Sequence, residues 1–182
     1  MAAKANVSLP SQTVEGLKQL VFKDSYQNLG EYLHCFQYTC AVLRDMDNLE
    51  RAAYELAIDN QLEGVNYIEV RFAPQLLIDL PGGIDFDRVM HAVNNGLQRA
   101  QQEYNRQPAI QNGDKPPFAY GIINCAMRMF GDKGFSPYYT NLFQLMRDFA
   151  PMDVIKLAAM ELVRASVRLR DDEGIPIVGL DL

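Results

Sequence analysis

A chain of 182 residues, 48% hydrophobic and 22% charged, is long enough for one domain with a substantial core and has the make-up of an ordinary globular protein. Its formal net charge of −6 argues against a nucleic-acid partner, which would need a basic surface, and no apolar run approaches the roughly 18 residues of a membrane span. The opening Met1-Ala-Ala-Lys-Ala-Asn lacks the apolar stretch of a secretory signal, and Cys35, Cys40 and Cys125, an odd set without metal spacing, read as reduced thiols of a cytoplasmic protein.

Residues 13–22 read as a short helix. Asn28, with Glu31 three positions on, is a variant capping box opening a helix to about residue 43. Asp47 and Glu50 repeat that spacing, and Leu49, Ala52, Ala53, Leu56 and Ala57 continue with helical periodicity until Gly64. Residues 65–72, Val-Asn-Tyr-Ile-Glu-Val-Arg-Phe, form a β run closed by Pro74. Asp85 caps a long helix to about residue 104, with Val89, Met90, Val93 and Leu97 on one face. Residues 105–117, rich in Pro, Gly, Asn and Gln, read as a surface loop, and 118–127 as a second β run. Ser136-Pro137 starts another helix, 152–170 is a further one, and 175–182 is a third β run. Strands alternating with helices predict βαβ units and a parallel sheet, and the short apolar strands predict burial on both faces.

The three β runs share charged residues at or near their C-terminal ends: Glu69 and Arg71, then Arg128, then Asp181. In α/β barrels those ends form the active-site face. Taken alone, these residues read more readily as an Arg–carboxylate network that fixes the strand ends than as a polar site. The glycines at 82–83 and at 131 and 134 lack phosphate-loop spacing, and there is no Gly-x-Ser-x-Gly elbow. Cys125 has no His close in sequence and reads as a core thiol. His34 and His91 fall in separate helices and read as ordinary helical histidines rather than metal ligands.

Three stretches, Val65-Asn-Tyr-Ile-Glu-Val-Arg-Phe-Ala-Pro-Gln-Leu-Leu, Ile122-Ile-Asn-Cys-Ala-Met-Arg and Ile177-Val-Gly-Leu-Asp-Leu, resemble the second, third and fourth strand motifs of adenosine deaminases. Leu9-Pro-Ser-Gln-Thr-Val-Glu-Gly-Leu and Leu29-Gly-Glu-Tyr-Leu-His-Cys-Phe resemble the family's segment between strands one and two. Residues 135–151 depart from the shorter members as an extra helix. The resemblance implies a single partial (β/α)8 TIM barrel over residues 1–182, holding parallel strands two to four, with the first strand and C-terminal half absent. It implies hydrolytic deamination of adenosine or deoxyadenosine by a zinc-activated water in the full-length enzyme. This segment carries none of the family's metal ligands or acid–base residues, so no bound metal and no activity are expected of it alone. The resemblance places an apolar lid over the purine nucleoside on Leu29, Tyr32, Leu33 and Phe36, and a pocket wall on Met127. On spacing alone, Leu29, Leu33 and Phe36 would read as helix packing. The competing expectations are a non-catalytic module binding a nucleoside or a protein partner, and a half-barrel that self-associates or is completed by another chain.

Overall fold

The computed structural model describes residues 1–128 and 136–181. Three helices come first: α1 (Val14–Leu20), α2 (Leu29–Leu43) and α3 (Met46–Leu62). Each begins where a short polar side chain takes over an orphan amide. Thr13 accepts from Gly16 N, and Asn28 from Glu31 N. The cap of α3 corrects the expected position: Asp45, not Asp47, accepts from Asn48 N. Because α2 runs to Leu43, the chain must turn at once, and Asp47 falls in the first turn, where its charge still favours the helix dipole. Lys4 reaches both carboxylates and pins the N-terminal segment there. Gly64, at φ +83°, follows the end of α3 in the left-handed conformation that a side chain would resist.

Strand β1 (Tyr67–Phe72) leads through a 3-10 turn at Pro74–Leu76 into the 20-residue helix α4 (Phe86–Asn105), capped by Asp85. The expected loop contains a single helical turn, α5 (Pro108–Gln111), begun by Pro108. Strand β2 (Ala119–Cys125), helices α6 (Pro137–Leu145) and α7 (Pro151–Glu173), and strand β3 (Ile177–Asp181) complete the described chain. The sheet order is β1-β2-β3 with both pairs parallel, and the second pairing carries a register shift between Ile122 and Ile123.

The core forms on one side of this sheet. Val89, Met90, Leu97 and Ala100 of α4 pack with Phe118 and Ile122, and with Leu162 and Leu169 of α7. Ile68, Val70 and Phe72 join them from β1. Their neighbours Tyr67, Glu69 and Arg71 alternate outward and are exposed. Burial on both faces is thus corrected for β1 and β3: Tyr67 is 51% and Val178 54% exposed. The strands read as fully buried because apolar residues occupy both faces in the sequence, whereas the helices packed with this core cover only one.

Candidate functional site

The strand ends meet on the open side of the sheet. Arg71 reaches across β2 to the Asp181 carboxylate on β3, and its Nη2 also donates to Cys125 Sγ at 3.5 Å. The register explains the meeting: Arg71 stands beside Ile123, and Cys125 beside Asp181. The hydrogen bond to Asp181 raises the Arg71 pKa above its ordinary value. Both side chains remain substantially solvated. Glu69 does not join this group; its Oε1 accepts from Tyr67 OH at 2.9 Å, which raises the tyrosine pKa. Arg128 follows β2, is exposed and has no carboxylate partner among the described residues.

Helix α2 presents Leu29, Tyr32, Leu33 and Phe36 outward, each between 41% and 64% exposed. Tyr32 lies edge-on between Tyr26 and Phe36, with centroid distances of 5.2 and 5.4 Å. The buried residues of the helix are Cys35 and Cys40, and Cys35 Sγ donates to Val21 O at 2.8 Å. Packing by core spacing is therefore corrected for the N-terminal half of α2: Leu29, Leu33 and Phe36 stay exposed, while Cys40, four positions beyond Phe36 on the same face, is buried. The last of the exposed row, Phe36, reaches the end of β1. Phe36, Leu43, Leu56, Val70, Arg71 and Leu76 line one largely apolar cavity of about 400 Å³ between α2, α3 and the end of β1.

Met127, half-buried, lies two residues beyond β2. After β1 lies a polar cluster that sequence patterning did not single out. Gln75, in the turn after β1, is fully buried. Its Nε2 donates to Ala158 O at 2.8 Å and Glu161 Oε2 at 2.9 Å, with Tyr138 OH at 3.0 Å, while Oε1 accepts from Tyr139 OH at 2.9 Å. Burial drives the pKa values of Tyr138 and Tyr139 far above the ordinary tyrosine range, reinforced at Tyr138 by the Glu161 carboxylate. Glutamine is mostly a surface residue, and a lone one beside a proline carries no periodic signal; only the position directly after a β run could have drawn notice.

The described residues do not fit a zinc centre. No three His, Cys, Asp or Glu among them are grouped to hold an ion. His34 is exposed with its ring 6.2 Å from that of Tyr38, and His91 Nε2 lies 3.0 Å from Glu173. Around Arg71 stand one carboxylate, Asp181, and one thiol, Cys125, while Glu69 is engaged by Tyr67 instead, so the three protein ligands a catalytic zinc takes are not gathered there. No described helix is long and apolar enough to cross a membrane.

Comparison with known proteins supplies the lineage. The chain is 36% identical over 106 residues, 58% of its length, to an adenosine deaminase of Shewanella woodyi, and spans about 31% of that protein. It is 36% identical over 105 residues to an adenosine deaminase of Streptococcus mutans, spanning 30% of it. Against a probable adenosine deaminase of Dictyostelium discoideum it is 36% identical over 102 residues, 56% of this chain and 13% of the relative. The family model for adenosine deaminase matches residues 1–181, nearly the entire sequence, and the chain belongs to the adenosine deaminase family.

Proposed function

We propose that this chain is a segment of an adenosine deaminase-type aminohydrolase. In the whole protein it would form the nucleoside cover and one side of the substrate pocket, and the reaction would convert adenosine or deoxyadenosine and water into inosine or deoxyinosine and ammonia. The observation that carries this reading is the shared cavity of Phe36 and Arg71: the exposed apolar row of α2 meets the end of β1 at Phe36. A purine is flat and apolar, and an apolar row beside strand ends can cover it and exclude water while polar groups approach from the sheet. Leu29, Tyr32, Leu33 and Phe36 would act as this cover and Met127 as a wall. Arg71 and Asp181 would hold two strand ends in register beneath it, with Glu69 and Arg128 contributing charge to the same face. The zinc implied by family membership would be held in the whole protein by other residues, so no chemical step is assigned to the residues described here.

The parallel order β1-β2-β3, with helices between strands, supports a single domain over residues 1–182 that forms strands two to four of a (β/α)8 barrel. The exposed apolar side chains Tyr67 and Val178 on the open face support self-association or completion by another chain. Three free thiols support a cytoplasmic setting.

The test is an ultraviolet assay of adenosine turnover, with zinc supplied, on the chain alone and on the full-length protein carrying it. Turnover by the full-length protein and none by the chain is expected. Nucleoside binding without turnover by the full-length protein would replace this reading with a non-catalytic binding module.

A further inference from the structure

Gln75 and Leu76 are neighbours in the 3-10 turn after β1, and their side chains meet different parts of the fold. Leu76 lines the cavity shared with Phe36 and Arg71, among side chains of α2 and α3. Gln75 is fully buried and bonded to α6 and α7. Its amide orientation is dictated by chemistry: Ala158 O and the Glu161 carboxylate can only accept, so the nitrogen faces them and the oxygen accepts from Tyr139 OH. The main-chain carbonyl of Gln75 accepts from Ser136 Oγ at 3.0 Å, at the start of α6. The next carbonyl, Leu76 O, accepts from Nη2 of Arg44 at 3.2 Å, at the end of α2. Three helices therefore hold this turn at two consecutive residues.

We propose that Gln75 is a positioning residue: its bonds to α6 and α7 fix the turn after β1 and thereby the place of Leu76 in the wall of the nucleoside cavity. The inference rests on the reading of that cavity as the nucleoside site. A buried amide adds little stability over an apolar group of the same shape, but each of its bonds is directional and costly to leave unmade. Such a group is suited to setting a position. Fastening α6 to α7 does not require it, because Tyr138 OH already donates to Glu161 Oε2 at 2.5 Å. What Gln75 adds is the tie from both helices to the turn. The turn's own bonds, Leu76 N to Ala73 O at 3.1 Å and Leu77 N to Pro74 O at 2.9 Å, set its local shape and not its place against the helices.

The test uses the full-length enzyme carrying this segment, with melting curves to confirm folding. Gln75→Met keeps the volume and removes the amide; Tyr139→Phe keeps the ring and removes the hydroxyl that meets Gln75 Oε1. Each is expected to raise KM for adenosine about tenfold while leaving kcat within about twofold. On a Leu76→Ala background, Gln75→Met should raise KM by no more than about twofold further, because the side chain it positions is gone. Phe36→Ala tests the cavity by itself. If Phe36→Ala raises KM but neither Gln75→Met nor Tyr139→Phe does, the positioning role is overturned and the cavity reading stands. An equal effect of Gln75→Met with and without the Leu76 side chain would also overturn it. If Phe36→Ala leaves KM unchanged, the cavity reading fails and takes this inference with it. Should Gln75→Met not fold, Tyr139→Phe takes its place in both comparisons.

Discussion

Arg71 on β1 is bound to Asp181 on β3, passing over the strand between them. The first and last strands of this sheet are thus joined at their C-terminal ends by side chains, although their backbones never pair. Both groups are well solvated, so the pair is weakly coupled and screened by salt. A double-mutant cycle with Arg71→Met and Asp181→Asn, read by urea denaturation, should show a small favourable coupling at low salt that vanishes at high salt. A large, salt-independent coupling would mean that the pair is shielded from water.

Phe36 should behave unlike a core phenylalanine. It is 41% exposed, so Phe36→Ala leaves little cavity and should change stability by about 1 kcal/mol or less. In the full-length enzyme the same change should raise KM for adenosine by about tenfold or more, the scale of burying a large apolar side chain, with kcat little altered. Steady-state kinetics on a variant with an unchanged melting curve checks both halves. Loss of kcat at constant KM would remove Phe36 from the cover.

Helices α3 and α4 touch through backbone at Gly96. A methyl group there would lie 2.2 Å from Glu50 O and 2.9 Å from Tyr54 N. The helices could accept it only by separating, although Arg99 still bridges them to Glu50 at 3.0 Å and stacks 4.2 Å above the Tyr54 ring. Gly96→Ala should therefore destabilise the fold by about 1–3 kcal/mol, despite alanine's better helix propensity. Denaturant midpoints at constant slope would report it.

Alkaline pH should unfold this protein from the inside. Tyr120, 8% exposed and donating to Asn94 Oδ1 at 2.8 Å, has its pKa pushed up to about 12 by burial, and Tyr138 and Tyr139 are raised further. A raised folded-state pKa means that the neutral phenol is preferred in the native state. Its stabilisation is intact below the unfolded value near 10 and is lost as pH rises through about 12. Urea midpoints should fall across that window, and Tyr120→Phe should flatten part of the fall. Phenolate absorbance rising in a single step near pH 10, with no late-titrating tyrosines, would contradict it.

Local chemistry made much of the chain legible. Asn28 and Asp85 cap their helices because a short polar side chain satisfies an amide three residues on, which depends on neither fold nor partner. The three β runs and their parallel order followed from apolar runs separated by helices. The cap of α3 was displaced by two residues because two aspartates offered the same local chemistry and the length of α2 chose between them.

Tertiary structure decided everything that depends on which face meets which. The apolar row Leu29, Leu33 and Phe36 of α2 has core spacing and yet lies outside, while Cys40, next along the same face, is buried. Arg71 and Asp181 are 110 positions apart, and only strand register brings them together. Gln75 has no pattern around it at all; its partners Tyr139, Ala158 and Glu161 come from helices more than 60 residues away. Sequence periodicity reports how one segment divides between wet and dry sides. Directional bonds between distant segments leave no period, so they become visible only when the chain has folded.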